Sequence, residues 1–249
     1  MHVLRPRSDR RFDERGSCNV CGAEGVFRMN SWMLPRHAAN EWGLAAIPEF
    51  ARRESLFCTS CSSTMRIRRL AAVLLKHYGP EDVTTIADLV SDPSVRELDI
   101  IEVNAIGSLH QFLADLPRLR YTEYSRGGED MQSLSYADAC CDLILSSDTL
   151  EHIPDWRAAI AETRRVLRCG GRHVFTVPLV FDQASTVDVR GRDWFHGRGS
   201  GPFAFVRKRG DLRVHTVFAY DIADDLVAAG FTPEFHFRDA ATVICATAI

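Results

Sequence analysis

Residues 139–179, ACCDLILSSDTLEHIPDWRAAIAETRRVLRCGGRHVFTVPL, constrain the fold more than any other stretch. CDLILSS at 141–147 is an apolar run of the length expected for a buried strand. Residues 155–167 repeat apolar side chains at helical spacing. Asp155 can open that helix, and Cys169-Gly170-Gly171 should end it. RHVFTVPL at 172–179 reads as a second strand. Two buried strands joined through an amphipathic helix make a parallel crossover, and such sheets are covered on both faces.

The same alternation runs on either side. Residues 98–103 and 119–124 are expected as strands around a helix at 109–116. A helix at 219–229, closed by Gly230, precedes strands at 232–238 and 241–248. A turn of only two or three residues between these last strands makes them an antiparallel edge hairpin. Upstream, 62–79 should be a helix capped by Ser62 or Ser63 and stopped by Gly79-Pro80, with a second helical piece near 83–90. The fold class is therefore α/β, a mostly parallel doubly wound sheet with an antiparallel edge hairpin. The 249 residues suffice for one such domain and a small appendage. The expected division is a basic arm at 1–16, a cysteine-bearing head and connecting helix at 17–79, and the αβ domain at 80–249.

Net charge is −3, which speaks against nucleic acid or an anionic membrane as an obligatory partner. The longest apolar runs, such as 70–75, fall far short of the roughly 20 residues of a membrane span. The N-terminal MHVLRPRSDRRFDERGS is charged and lacks the apolar core of a secretory signal, so a cytoplasmic location is expected. In that compartment the eight cysteines do not suggest a disulfide framework.

Four of them form two CxxC pairs, Cys18 with Cys21 and Cys58 with Cys61. Each pair is a knuckle able to point two thiolates at one tetrahedral ion, so a structural zinc site is expected. Four thiolates close the coordination shell, so the zinc is read as structural rather than catalytic. The insertion between the pairs carries Trp32 and Trp42, expected to cover the knuckle. Cys140, Cys141, Cys169 and Cys245 lie in or beside strand-like stretches instead.

The central segment resembles the class I S-adenosylmethionine-dependent methyltransferases of the type 11 kind. The resemblance is carried by Cys141-Asp142-Leu143-Ile144-Leu145, by Leu150-Glu151-His152-Ile153, and by Arg165-Val166-Leu167-Arg168-Cys169-Gly170-Gly171. Cys141 replaces the usual aromatic residue and Cys169 the usual proline. The head, with Cys58-Thr59-Ser60-Cys61-Ser62-Ser63-Thr64-Met65-Arg66-Ile67-Arg68, is similar to a bacterial group of small zinc-headed methyltransferase-like proteins. In that group the glycine-rich cofactor loop is often eroded.

The resemblance implies a Rossmann-like fold and S-adenosylmethionine bound across the carboxyl ends of the strands. Glu123 stands where a carboxylate accepts both ribose hydroxyls. Asp130 stands where the adenine amino group is taken, and Met131 would offer backbone and thioether to the ring. Ser147 and His152 would form part of the cofactor floor. The first loop reads Glu102-Val103-Asn104-Ala105-Ile106-Gly107, with one glycine only. Glu102 is a candidate for the ligand's ammonium group. Asn104, which tolerates left-handed backbone, the small Ala105 and Gly107 would take the place of the missing glycines. Only six residues separate Glu123 from Asp130, too few for a helix and a strand, so the loop SRGGE is expected to build the adenine side.

Methyl transfer demands alignment first and a base second. The candidates for the base are His196, within RGRDWFHGRGSG, His215 and Asp148. Trp194 and Phe195 would wall a ligand, and Gly197, Gly199 and Gly201 would hinge a lid. Arg66, Arg68, Arg69 and Lys76 are read as a solvated helix face docking acids such as Glu97 or Asp99, with phosphate binding as the other reading. The function expected is O- or N-methylation of a small molecule, such as a sugar or natural-product intermediate. An RNA methyltransferase and a catalytically silent scaffold are the rivals. The oligomeric state stays open, a homodimer included.

Overall fold

The computed structural model describes residues 14–29, 48–124, 127–180, 185–189, 213–237 and 241–249. These residues fall into two compact units. The first comprises the described residues within 1–96 and 107–116 together with residue 241; the second comprises those within 97–106, 117–237 and 242–249. Trp32 and Trp42, most of the basic arm, and the whole stretch around His196 lie outside the described residues.

In the first unit, β1 (Glu14–Ser17), β2 (Glu24–Met29) and β3 (Leu56–Cys58) form an antiparallel sheet in that order. Helix α1 (Pro48–Ser55) leads directly into β3. Helix α2 (Met65–Tyr78) buries Ile67, Leu70, Ala71, Val73 and Leu74, the stripe that its periodicity anticipates. Its cap is Thr64, whose hydroxyl accepts from the Ile67 amide, rather than Ser62 or Ser63. Ser63 is occupied elsewhere, and Ser62 has left-handed backbone (φ +63°), unlike the extended backbone of a cap. The short α3 (Ile86–Leu89), α4 (Pro93–Arg96) and α5 (His110–Leu113) complete this unit. The helix expected at 109–116 is thus one α turn preceded by a 3-10 turn, Gly107–Leu109.

The second unit is built on a six-stranded sheet. Its parallel part contains β4 (Ile100–Val103), β5 (Leu119–Thr122), β6 (Cys141–Ser147) and β7 (Leu167–Thr176). β4 pairs with both β5 and β6, and β6 with β7. A small ribbon of β8 (Val187–Asp188) and β9 (Thr216–Val217) follows. Helix α6 (Trp156–Val166) makes the β6–β7 crossover; Asp155 caps it by accepting from the Ala158 amide at 3.0 Å. Its buried face is Trp156, Ala159, Ile160, Thr163 and Val166, and Trp156 stands edge-on to Phe218 in the apolar core. Burying each large apolar side chain there is worth about 1.5–3 kcal/mol.

Helix α7 (Ile222–Ala228) precedes β10 (Phe231–His236) and β11 (Val243–Ala248). These strands are antiparallel at one edge, as expected, giving the order β10-β11-β7-β6-β4-β5. The connection between them, residues 237–242, is longer than the two or three residues anticipated, because β10 stops at His236 and β11 starts at Val243. Cys169-Gly170-Gly171 does not terminate a helix. Helix α6 ends at Val166, and the two glycines lie inside β7, where pairing with β6 slips between Cys141 and Leu143. A Cβ on Gly171 would stand 2.9 Å from the Arg168 carbonyl and 3.1 Å from that of Asp142, so the slip needs glycine. Arg168 holds the same end of the sheet, reaching Asp99 at 2.9 Å and Asp142 at 2.7 Å.

Candidate functional site

The carboxyl ends of the parallel strands share one edge of the sheet. Val103 is in register with Thr122 on one side and Ser146 on the other, and Ser147 is in register with Thr176. The chain leaves β4 for β5 on one side and returns to β6 on the other. That makes the β4 edge the point where strand order reverses, the usual ligand position in open αβ sheets.

The loop after β4 closes with one glycine. Asn104 takes a left-handed corner (φ +58°), as its side chain allows, and Gly107 takes another (φ +51°). The Asn104 amide donates to the Thr122 carbonyl at 2.8 Å. The Ile106 amide donates to Glu102 Oε1 at 2.9 Å, with Ile106 and Glu102 both buried. Glu102 therefore serves the loop itself as an internal acceptor. Ala105 is exposed beside Asn104.

Glu123 follows β5 and is half-buried; its Oε2 accepts from the Tyr121 hydroxyl at 2.9 Å. The returning loop is pressed against it. The Gly128 amide donates to the Glu123 carbonyl at 3.1 Å, and the Glu129 amide to the Thr122 hydroxyl at 2.7 Å. A Cβ on Gly128 would stand 2.4 Å from that hydroxyl and 2.8 Å from the Glu123 amide nitrogen, so the position requires glycine. Among the described residues between β5 and β6 there is neither α-helix nor strand, as the short spacing anticipates.

Asp130 caps a turn, accepting from the Gln132 amide at 2.9 Å and from its side-chain amide at 3.1 Å. Met131 is buried in the apolar core. Arg165 fastens this loop to α6: it reaches the Leu134 and Tyr136 carbonyls, the Asp138 carboxylate and both oxygens of Glu162. Those hydrogen bonds, led by that to Glu162, raise the Arg165 guanidinium further above its ordinary range.

At the ends of β6 and β7 the Ser147 hydroxyl lies 2.8 Å from that of Thr176. The Thr176 hydroxyl donates to Asp148 Oδ1 at 2.9 Å. Asp148 has φ +49°, and its amide donates to the Thr176 carbonyl at 2.9 Å. An aspartate held left-handed at a strand end is the kind of strain that collects at functional sites. Next along the chain, His152 Nδ1 donates to the Arg213 carbonyl at 2.8 Å, while its Nε2 lies 3.7 Å from the buried Glu151 carboxylate. The His215 amide donates to the Glu151 carbonyl at 2.7 Å, which ties His215 to the turn bearing His152. Thr122, Thr176 and the Arg165 clamp escaped the sequence reading. Thr176 was detectable as a hydroxyl at the end of a buried strand, but its partner depended on sheet register.

In the first unit, the Sγ atoms of Cys18, Cys21, Cys58 and Cys61 all lie within 4.8 Å of one another. Cys18 and Cys61 are 3.8 Å apart, and Cys21 and Cys58 are 3.9 Å apart. Tetrahedral Zn–S bonds of about 2.3 Å require edges of about 3.8 Å, so the donor set fits zinc. Burial pushes the Cys18 thiol up, but hydrogen bonds, that of Ser63 foremost, bring it down to about 7. The first knuckle is held from behind, its Asn19 and Val20 carbonyls accepting from the Ile86 and Ala87 amides. Of the basic cluster, Arg66 docks bidentately on Glu54, at 2.7 and 3.0 Å, rather than on Glu97 or Asp99. Glu97 pairs with Arg118 and Asp99 with Arg168, since sheet register delivers those partners.

A parallel sheet of this order, closed by an antiparallel hairpin and bearing acids and hydroxyls on its carboxyl edge, has the class I methyltransferase fold. Residues 111–175, about a quarter of the chain, match the methyltransferase domain family. It is 39% identical over 51 residues to the sarcosine/dimethylglycine N-methyltransferase of Halorhodospira halochloris; the match spans 20% of this chain and 18% of that protein, under a fifth of the relative's length. Among solved structures it is similar to a Burkholderia thailandensis 1,6-didemethyltoxoflavin-N1-methyltransferase with bound 1,6-didemethyltoxoflavin and S-adenosylhomocysteine. That similarity is 17% identity, 74% of this chain and 77% of the other, with a TM-score of 0.41. A Methanosarcina mazei S-adenosylmethionine-dependent methyltransferase gives 12% identity, 62% and 93% coverage, and a TM-score of 0.37. No helix among the described residues is long and apolar enough to cross a membrane.

Proposed function

We propose that the chain methylates a small-molecule acceptor at oxygen or nitrogen, in the cytoplasm, with zinc holding its head together. S-adenosylmethionine, when bound, supplies a methyl group on a positively charged sulfur. Glu123 would accept the ribose hydroxyls, and Asp130 the adenine amino group. The left-handed Asn104 corner brings main chain rather than a side chain towards the methionine tail. Asp148, steered by Thr176, or His215 takes the acceptor's proton. The acceptor is a sugar or a natural-product intermediate. The main support is the shared edge at which β4, β5, β6 and β7 deliver Asn104, Glu123, Ser147 and Asp148.

Calorimetry of the full chain with S-adenosylhomocysteine tests this reading. Saturable binding is expected, weakened about tenfold or more by Glu123→Ala, since a hydrogen bond to a charged group is worth about 1.5–3 kcal/mol. Absence of both heat and thermal shift at high ligand refutes it, and leaves the scaffold role.

A further inference from the structure

Ser63 and Arg68, which follow the second cysteine pair, take no part in the proposed transfer; Ser63 touches the sulfurs and Arg68 the main chain around them. Ser63 is completely buried. Its hydroxyl oxygen lies 3.1 Å from Cys61 Sγ and 3.4 Å from Cys18 Sγ, so it bridges the two knuckles. Arg68, one turn into α2, donates from Nη1 to the Ser63 carbonyl at 2.9 Å and to the Leu56 carbonyl at 3.2 Å. Those carbonyls flank Cys58 and Cys61 in the chain, so one guanidinium grips both ends of the second knuckle. The group also lies 4.0 Å from the centre of the Phe27 ring. The Arg68 carbonyl in turn accepts from the Asn19 side-chain amide of the first knuckle at 2.8 Å. Burial lowers the Arg68 guanidinium, and the charges of Cys18, Cys58 and Cys61 oppose that lowering.

Four thiolates around a divalent ion carry a net charge of about −2, costly to bury unless hydrogen bonds and a nearby cation offset it. We infer that Ser63 and Arg68 are the outer shell of a four-cysteine zinc centre: the Ser63 hydroxyl donates to a bound thiolate, while Arg68 supplies compensating charge and fixes the second knuckle. This rests on the zinc reading above. Arg66, two residues earlier, belongs instead to the Glu54 pair and lies outside the shell.

The test uses the full chain loaded with zinc or cobalt(II), in wild type, Ser63→Ala, Ser63→Thr, Arg68→Met, Arg68→Lys and Arg66→Met forms. Zinc affinity is read by competition with a chromophoric chelator. The cobalt(II) spectrum reports thiolate charge transfer and tetrahedral geometry, and so shows whether each variant still folds a four-sulfur site. Ser63→Ala and Arg68→Met should weaken zinc binding about 10- to 100-fold while keeping a tetrahedral cobalt spectrum with a shifted charge-transfer band. Ser63→Thr and Arg68→Lys should restore part of the loss, and Arg66→Met should match wild type. Zinc affinities of Ser63→Ala and Arg68→Met within twofold of wild type overturn the shell while leaving the metal site standing. A wild-type chain that takes up neither ion overturns the metal site and the shell with it.

Discussion

His173 sits in the middle of β7, fully buried and stacked on Phe175, with its Nε2 at 3.0 Å from the Ser146 hydroxyl. Burial drops its ring from an ordinary value of 6.5 to about 3. The folded chain therefore keeps the ring neutral at pH values where the unfolded chain already binds a proton. Each pH unit below 6.5 then removes about 1.4 kcal/mol of stability, down to the folded value near 3. The full window is worth on the order of 5 kcal/mol, comparable with the whole stability of a small domain. Replacing both partners, His173→Leu with Ser146→Ala, leaves no orphaned polar group and should be nearly neutral above pH 7. Between pH 6.5 and 4.5 wild type should lose about 3 kcal/mol more than the double variant. Urea unfolding across this range measures the difference. Trp156 is a suitable fluorescent probe once Trp32, Trp42 and Trp194 are replaced by phenylalanine, because it packs in the core beside Phe218. Parallel pH profiles for the two proteins would refute the argument, since the ring would then titrate equally when folded and unfolded.

Two further predictions concern the cofactor edge. Asn104→Gly should leave stability within about 1 kcal/mol and S-adenosylhomocysteine binding intact, whereas Asn104→Val must force a β-branched residue left-handed at about 1–2 kcal/mol or more. Equal melting temperatures and equal affinities for the two variants would show that the corner is not strained. Gly128→Ala drives a Cβ into the Thr122 hydroxyl and the Glu123 main chain, an overpacking cost of about 1–3 kcal/mol. Because the displaced residue is Glu123, calorimetry should show about tenfold weaker S-adenosylhomocysteine binding with zinc content unchanged; unaltered affinity would remove Glu123 from the site.

The parts of this chain that could be read in advance are those governed by local periodicity. β6 occupies the 141–147 anticipated, and α6 differs by one residue at each end from the helix expected at 155–167. Both bury a continuous face, so no distant residue competes with the pattern. Cys169-Gly170-Gly171 misleads because a helix stop and a strand slip both need backbone without side chains. The register slip against β6 decides between them, with the Arg168 and Asp142 carbonyls both crowding the Gly171 position. The same ambiguity governs the acids. A carboxylate at a strand end is equally suited to a ligand's ammonium and to a backbone amide of its own loop. In a loop with few glycines the Ile106 amide is in hydrogen-bond contact with Glu102 at 2.9 Å. Glu123 accepts from the Tyr121 hydroxyl at 2.9 Å and is only half-buried. The difference between these two acids follows from where the loops return, Ile106 folding back over one and Gly128 stopping beside the other. The first loop closes on an acid of its own, and the second, at Gly128, closes on the main chain beside its acid.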